Sequence, residues 1–369
     1  MILHQTPTFL LLLLTLLTAQ NSASNRIIPK ADASLHGMVD TLFHEYDRPD
    51  VPGASVIIIK DGKVLYKKAY GMANVEDKIP TTTKTNYRIA SMTKQFTAMA
   101  IMILAEQKRL SLDAPLTKFF PDFPPYGKRI TVRQLLNHTS GLLDYFDLIP
   151  AARTAPLKDR DVLNLLQKQD HTNFPPGSRF RYSNTGYVLL ALIVEEASGS
   201  HFSEFLKKNI FEPLRMTRTR FYEREDRSDR NRAYGYSQRE RGFERTDQSL
   251  SSSILGDGSL YSSVEDLYKW DQALYTSRLV SFGMLKQAFT PGEGTGEDAY
   301  GFGWFIDNYH GFRDIWHGGN TMGFTSSIYR FPDQRFTVIA LTNRNNDLLP
   351  VPVHKIINIF LFGSEALPN

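Results

Sequence analysis

Apolar and β-branched residues cluster in short runs at the two ends of the chain and predict strands there. Near the start, Ala54–Lys60 and Lys63–Tyr70 are joined by Asp61-Gly62, a strong signal for a two-residue hairpin. Near the end, Pro332-Asp333-Gln334 predicts a turn between the last two of four further runs. These predicted strands are Tyr300–Ile306, Asp314–His317, Phe324–Phe331 and Phe336–Thr342.

Helical spacing dominates between the two groups of strands, because apolar residues there recur every three or four positions. Ser91–Gln107 is rich in Ala, Met and Leu. The S-x-x-E sequence of Ser262-Ser263-Val264-Glu265 predicts a capping box that begins a helix toward Leu274. Further helices are predicted at Ala33–Tyr46, Thr131–Asn137, Asp161–Gln167, Gly186–Ala197, Phe202–Ile210 and Val353–Phe362.

This order of elements predicts an α+β fold, in which one antiparallel β-sheet is assembled from both ends of the chain and flanked by helices. A mainly helical lobe is inserted into it. We place the sheet-bearing part at about 25–108 and 290–369, and the helical lobe at about 109–289. Residues 223–247 are dense in charged side chains and predict a solvated loop; a lid that faces the substrate is the alternative.

Residues 1–24 have the pattern of a secretory signal peptide. Phe9–Leu17 is almost wholly leucine, and Ser22-Ala23-Ser24 supplies small residues for cleavage. No lysine or arginine precedes this run, so an uncleaved membrane anchor is the alternative. We predict a secreted or periplasmic protein whose mature part begins near Asn25 and has no membrane span, because no later run is apolar enough.

The composition narrows the possible chemistry. A hydrophobic fraction of 41% predicts a well-buried core, and a net charge of +4 scattered among acids argues against a nucleic-acid partner. The chain has no cysteine, which excludes disulfides, thiolate metal sites and a cysteine nucleophile. Its nine histidines show no tight ligand spacing such as H-E-x-x-H, so we predict neither a metal nor another cofactor.

Ser91-Met92-Thr93-Lys94 is the only S-x-x-K sequence in the chain. A serine hydroxyl is a weak nucleophile that needs a base within hydrogen-bond reach. Residues i and i+3 share a face at the start of a helix, so Lys94 can approach the Ser91 hydroxyl. Burial and the positive end of a helix both disfavour the ammonium form of a lysine, which must be neutral to act as a base. The same helix end favours negative charge on an attacked carbonyl oxygen.

Two further motifs can complete such a site. Tyr182-Ser183-Asn184 combines a phenol that can pass on a proton with an amide that can bind a substrate carbonyl. In His317-Gly318-Gly319 the glycines leave room for a substrate, and the following amide, of Asn320, can donate to an oxyanion. Singly, each motif also has an ordinary structural explanation as a helix cap, a turn or a strand end.

Taken together and in this order, S-x-x-K, Y-x-N and H-x-G resemble the active-site motifs of the class C β-lactamase-like serine hydrolases. That family also includes D,D-peptidases, D-aminopeptidases and esterases, and a sister pattern occurs in class A enzymes. The resemblance extends over almost the whole mature chain. It includes residues 51–54 (VPGA), 135–142 (LLNHTSGL), 256–263 (GDGSLYSS) and 300–304 (YGFGW).

The resemblance implies a β-lactamase/transpeptidase-like fold and a role for each candidate residue. Ser91 would be acylated, Lys94 would activate it, and Tyr182 would carry a proton to the leaving group. Asn184 would orient the substrate. The oxyanion hole would consist of the amides of Ser91 and Asn320.

His317, Gly318 and Gly319 would contact the substrate. His317 would form a hydrogen bond near Tyr182 or at the far end of the substrate. The β-lactamases and transpeptidase-like members usually carry lysine at the position of His317, where a permanent charge helps to bind a carboxylate. A histidine with an ordinary pKa near ~6.5 is mostly neutral at neutral pH. We interpret His138, within the LLNHTSGL segment, as a structural histidine at a helix end.

We therefore expect an exported serine hydrolase that forms an acyl-enzyme on a D-residue peptide or a small ester. The alternatives are a true β-lactamase and a catalytically silent relative that binds peptides. The expected partner is a small-molecule or peptide substrate, and the sequence does not predict an oligomeric state. An ordinary α/β-hydrolase is disfavoured because the chain has no G-x-S-x-G.

Overall fold

The computed structural model describes residues 33–222, 229, 231–345 and 351–363. Its strands are β1 (Ala54–Lys60), β2 (Lys63–Tyr70), β3 (Met72–Asn74), β4 (Ile79–Pro80), β5 (Tyr87–Arg88), β6 (Arg220–Phe221), β7 (Tyr236–Gln238), β8 (Phe243–Arg245), β9 (Leu260–Ser262), β10 (Phe305–Tyr309), β11 (Phe312–Thr321), β12 (Phe324–Phe331), β13 (Phe336–Thr342) and β14 (Arg344–Asn345). Its helices are α1 (Ala33–Leu42), α2 (Lys94–Glu106), α3 (Val132–Leu136), α4 (Asp159–Leu166), α5 (Asn184–Ser198), α6 (Phe202–Leu206), α7 (Glu212–Leu214), α8 (Leu255–Gly258), α9 (Val264–Ala273), α10 (Phe282–Ala288) and α11 (Val353–Ile357).

Six of these strands form the main sheet, in the order β10-β11-β12-β13-β1-β2. All its neighbouring strands are antiparallel, and β1 pairs with β13 on one side and β2 on the other. The chain between β2 and β10 contains the helices α2 to α10. This confirms the predicted α+β fold with a sheet assembled from both ends of the chain, while the residue bounds of the helical lobe stay a prediction.

The strands β1 and β13 of the main sheet are buried on both faces, and β1 shows how the residues divide. Val56 and Ile58 pack in one core with α1 and α11, whereas Ile57 and Ile59 belong to a larger core with α2, α5 and α9. Strands that are buried on both faces read as continuous apolar runs. This explains why the central strands were visible in the sequence as runs without a polar face.

Helix α9 begins one residue later than the S-x-x-E pattern predicts. Ser263 is the N-cap and its hydroxyl accepts from the amide of Asp266, so the capping box predicted for Ser262 and Glu265 is wrong. Ser262 instead belongs to β9, and its hydroxyl bonds to that of Thr219 at 2.8 Å. The Glu265 carboxylate accepts from Lys67 and Thr83.

The strand predicted from Tyr300 begins only at Phe305. Residues 300–304 form a turn in which the amide of Gly301 donates to the carbonyl of Trp304 at 2.8 Å. Gly303 has φ +82°, and a Cβ atom on it would lie 2.9 Å from the carbonyl oxygen of Lys94. The turn therefore packs against the first residues of α2, which is why the chain cannot continue as a strand here.

A solvated loop was predicted for residues 223–247. Residues 223–228 and 230 lie outside the described part of the chain, and the rest of this segment differs from the prediction. The strands β7 and β8 form a hairpin here, and Arg232 is buried with a 2.6 Å ion pair to Asp247. The charge density misled the prediction because some of these charges neutralise one another inside the protein. The lid alternative stays untested.

No helix within the described residues is long and apolar enough to cross a membrane. The predicted signal peptide, residues 1–24, and the predicted mature start at Asn25 lie outside the described residues.

A buried ion pair joins the main sheet to α9 and generates a stability prediction. Arg330 Nε donates to Asp271 Oδ1 at 2.6 Å, and both side chains are inaccessible to solvent. Thr337 donates to the same oxygen. Arg330→Met should lower the free energy of unfolding by about 3–5 kcal/mol, because it leaves a buried carboxylate without its cation.

Denaturant unfolding measures this loss. Arg48→Met is the matched control, because the Arg48–Asp50 pair is exposed to solvent on both sides and should change the unfolding free energy negligibly. Equal effects of the two substitutions would contradict the assigned role of the buried pair.

Candidate active site

Ser91 lies in a short 3₁₀ turn, Ala90–Thr93, that leads directly into α2. Ala90 has φ +48°, a left-handed conformation that costs a residue with a Cβ atom about 1 kcal/mol or more. Ala90, before Ser91, and Met92 and Thr93, after it, are buried, so packing on both sides of Ser91 holds this turn. Strained backbone next to a reactive group is a common feature of functional sites.

Lys94, the first residue of α2, is completely buried, and its Nζ has three oxygen neighbours. It lies 3.1 Å from Ser91 Oγ, 2.8 Å from Asn184 Oδ1 and 2.9 Å from the carbonyl oxygen of Asp257. The two carbonyl oxygens can only accept hydrogen bonds. A neutral amine can therefore donate to both of them and keep its lone pair for the Ser91 hydroxyl.

Tyr182 lies against Lys94, as the sequence motif predicts. Lys94 Nζ is 4.9 Å from the centre of the Tyr182 ring. The Tyr182 hydroxyl is buried and has no hydrogen-bond partner among the described residues. Asn184 begins α5 two residues later, so one strand-to-helix turn brings both side chains to the lysine.

His317 lies on β11, with its ring centre 6.1 Å from that of Tyr182. Its Nδ1 is 2.6 Å from the carbonyl oxygen of Gly318, which can only accept, so Nδ1 carries the proton. Its Nε2, 3.0 Å from the Tyr300 hydroxyl, then accepts from it. Burial, with a smaller contribution from Lys94, lowers the pKa of His317 to about 3. The histidine is thus neutral, and its direct partner is Tyr300 instead of Tyr182.

The two glycines after His317 differ in what surrounds them. A Cβ atom on Gly319 would lie 2.3 Å from the carbonyl oxygen of Ile89 and 3.0 Å from the Cβ atom of Ala90. Gly319 is therefore required because β11 passes in contact with the turn that carries the candidate nucleophile. A Cβ atom on Gly318 would lie 3.8 Å from its nearest neighbour, the carbonyl oxygen of Ser326, which is an ordinary van der Waals contact.

Ser91 and Asn320 line a common cleft, which has a volume of about 120 Å³. Its other lining residues come from β5 and the turn after it, from α5 and β11, and from the segments before β9 and around residue 145. They are Arg88, Ala90, Tyr145, Phe146, Asn184, Ser251, Ser252, Asp257, Gly258, Ser259 and Thr321.

The structure adds three residues to the predicted set. His138, interpreted above as structural, accepts from the amide of Ser183 through Nδ1 at 3.0 Å and packs its ring 4.3 Å from that of Tyr182. Burial holds the pKa of His138 well below its usual value. Tyr300 bonds to His317, and Asp257 borders both Lys94 and the cleft. These contacts join distant parts of the chain, so only the resembling segments LLNHTSGL, GDGSLYSS and YGFGW pointed toward the three residues.

Asp257 contributes a buried carboxyl group to the cleft. Its carboxylate accepts a hydrogen bond from the Tyr145 hydroxyl at 3.1 Å. Burial raises the pKa of Asp257 to about 6, although nearby Lys94 opposes the shift. Across the described residues, no cluster of three or more histidine or acidic side chains could hold a metal ion.

Comparison with known proteins shows the family. The chain matches the β-lactamase family over residues 39–356. It belongs to this family. Its members are serine hydrolases that share the β-lactamase/transpeptidase-like fold, which confirms the resemblance read from the motifs.

Two curated β-lactamase-family proteins illustrate the likeness. Penicillin-binding protein 4* from Bacillus subtilis is 34% identical over 326 residues, which cover 84% of this chain and 72% of that protein. Protein flp from Staphylococcus aureus strain MRSA252 is 30% identical over 324 residues, 85% of this chain and 64% of that protein. The chain thus spans about two thirds of these relatives' length.

Solved structures of similar proteins show the same fold as this chain. The octameric penicillin-binding protein homologue from Pyrococcus abyssi has a TM-score of 0.74 at 32% identity, covering 88% of this chain and 76% of that one. The D-amino acid amidase from Ochrobactrum anthropi, complexed with L-phenylalanine amide, has a TM-score of 0.76 at 26% identity, covering 90% and 98%.

The neutral state of His317 predicts a pH dependence of stability. Above a pH of about 6.5 neither the folded nor the unfolded state protonates this histidine. Between pH 6.5 and 3 only the unfolded state does, so its contribution to stability falls as the pH falls, by about 1.4 kcal/mol per pH unit.

The stability advantage of the wild type over His317→Gln should therefore be about 2 kcal/mol larger at pH 7.5 than at pH 5. Denaturant unfolding of both proteins at the two pH values measures it, and groups common to both proteins cancel in the difference. A constant difference would show that His317 is not held neutral by the fold.

Proposed function

We propose that this β-lactamase-family chain is an exported hydrolase that forms an acyl-enzyme at Ser91 during the cleavage of an amide or ester. The observation that carries the proposal is the position of Lys94 Nζ, 3.1 Å from Ser91 Oγ, with two acceptor-only oxygens at 2.8 and 2.9 Å. This is the arrangement of a nucleophile with its base.

In the acylation step, Lys94 takes the proton of the Ser91 hydroxyl while Oγ bonds to the carbonyl carbon of the substrate. The amides of Ser91 and Asn320 stabilise the oxyanion. Tyr182, beside Lys94, gives a proton to the departing nitrogen or oxygen as the bond to the carbonyl carbon breaks. Lys94 passes the proton that it took from Ser91 to Tyr182, which restores both groups. Water then attacks the ester: its hydroxyl bonds to the carbonyl carbon, the bond to Ser91 Oγ breaks, and the remaining proton of the water goes to Oγ as the acid leaves.

Asn184, through its contact with Lys94, orients both the base and a substrate carbonyl. His317, with Gly318 and Gly319, forms the wall of the site along β11. Because His317 is neutral and both of its ring nitrogens have protein partners, it supplies no permanent charge for a carboxylate.

The proposed substrate is a D-residue peptide, a D-amino acid derivative or a small ester. The 26% identity to an enzyme named D-amino acid amidase supports this class. The alternative is a β-lactamase, which the absent cation at position 317 disfavours. A silent peptide-binding relative is disfavoured because the nucleophile, base and phenol lie together. The leucine-rich residues 1–24 support a secreted or periplasmic location.

A fluorophosphonate probe tests the nucleophile. The wild type should be labelled at Ser91, and Ser91→Ala should abolish both the label and hydrolysis across a panel of p-nitrophenyl esters, D-amino-acid anilides and nitrocefin. The reason is that no other serine in the described residues has a lysine at hydrogen-bond distance. Peptide mapping by mass spectrometry locates the label.

Ser281→Ala is the matched control. Ser281 also begins a helix, α10, but its hydroxyl donates to the Glu106 carboxylate instead of facing a lysine. This variant should be labelled like the wild type. Labelling that survives in Ser91→Ala would exclude Ser91 as the nucleophile.

A further inference from the structure

The surroundings of Ser91 differ on its two sides. Tyr182, His317, Tyr300 and Phe305 form an aromatic cluster, in which ring centres lie 4.8–6.3 Å apart. Tyr300 and His317 are buried, whereas Tyr182 and Phe305 are partly exposed. The open cleft beside Ser91 is lined by other residues, and Tyr182 is not among them. If Tyr182 protonates the leaving group, as proposed above, the cleft is left to receive the acyl part of the substrate.

The cleft contains a carboxyl group that the proposed reaction does not use. Asp257 is 7% exposed, and its carboxylate has a single hydrogen-bond partner among the described residues, the Tyr145 hydroxyl. Other buried carboxylates are better compensated: Asp271 pairs with Arg330 and Asp247 with Arg232. Lys94 lowers the pKa of Asp257, but its Nζ bonds to the backbone carbonyl of Asp257 and forms no ion pair with the carboxylate. A buried charge without an ion-pair partner is costly, so a cation that entered the cleft would be stabilised.

The side chains next to Asp257 are suited to an organic cation. Phe146 is half exposed, lines the same cleft and stacks on Tyr145 with 4.3 Å between ring centres. Aromatic faces attract ammonium groups and also bind apolar side chains. Burial raises the pKa of Asp257 to about 6, which leaves the group ionised at neutral pH.

Arg88 also lines the cleft, and its charge opposes a cation. Its guanidinium is held by hydrogen bonds to Ser252 Oγ at 2.7 Å and Gln248 Oε1 at 3.0 Å. No described carboxylate, Asp257 included, lies within ion-pair distance of Arg88. The arginine therefore does not neutralise Asp257, and the cation must bind at the Asp257–Tyr145 end of the cleft.

We propose that Asp257 binds the protonated amine of an aminoacyl group, so that the substrate is an amide or ester of an amino acid with a free α-amino group. This inference rests on the proposed function, since it assigns the acyl half of the same substrate. For a peptide substrate, the inference means that the bond after the N-terminal residue is cleaved. Cleavage of the bond before the C-terminal residue is not expected.

Paired substrates test this assignment at pH 7.0, where an α-amino group is largely protonated. We compare D-alanine p-nitroanilide with N-acetyl-D-alanine p-nitroanilide, which differ in the charge of the amine. The wild type should prefer the free amine in kcat/KM by roughly 10- to 100-fold, as expected for one charge-assisted hydrogen bond. In Asp257→Asn, a nearly isosteric change, this ratio should fall toward 1.

Asp314→Asn is the matched control, because Asp314 is also a buried carboxyl group with a pKa raised to about 6, but it does not line the cleft. It should keep the wild-type preference. A wild type without preference, or a preference that survives in Asp257→Asn, overturns the inference. Equal losses on both substrates in Asp257→Asn also overturn it, because they indicate that Asp257 acts by positioning Lys94.

Failure of the inference is distinguishable from failure of the proposed function. If the wild type takes the fluorophosphonate at Ser91 but hydrolyses neither anilide, amine recognition is wrong while the nucleophile stands. If Ser91 takes no label, the proposed function fails and the inference fails with it.

Discussion

The buried amine of Lys94 is the interaction on which the rest of the site depends. Its Nζ joins three separate parts of the chain, namely the turn that carries Ser91, the start of α5 at Asn184 and the backbone of α8 at Asp257. A lysine is rarely buried completely unless its hydrogen bonds are satisfied. The helical region must therefore pack in one arrangement around this nitrogen, and that arrangement places the hydroxyl of Ser91 beside it.

The sheet completes the arrangement from the other side. Gly319 allows β11 to pass within contact distance of Ile89 and Ala90, and Gly303 allows the preceding turn to pack on the start of α2. Tyr300, in that turn, donates to His317. Burial, with a smaller contribution from Lys94, lowers the pKa of His317 and keeps it neutral. Transpeptidase-like members usually carry a positive charge at position 317, whereas this chain has a neutral pair, His317 hydrogen-bonded to Tyr300. This difference is the physical basis for expecting substrates other than β-lactams.

The sequence predicted the elements whose burial is simple and missed contacts between distant residues. β1 and β13 have the predicted bounds because strands buried on both faces leave an uninterrupted apolar pattern. β2 and β12 alternate more in burial, and their bounds followed from the turn signals Asp61-Gly62 and Pro332-Asp333-Gln334 beside them. The cap of α9 was misplaced because Ser262 and Ser263 are chemically alike, and only the pairing of β9 decides between them. The site motifs were found by resemblance, whereas the contact of His138 with Tyr182 depends on packing that no local pattern records.

The most direct test of this account is the effect of Lys94→Ala on the two stages of turnover. Pre-steady-state kinetics with a p-nitrophenyl ester separate the binding of the substrate from the acylation of Ser91. If Lys94 is the base, the acylation rate constant should fall by about 10²–10⁴-fold, with a much smaller change in substrate affinity. Equal losses in binding and acylation would contradict the account, because Lys94 would then support the site without activating Ser91.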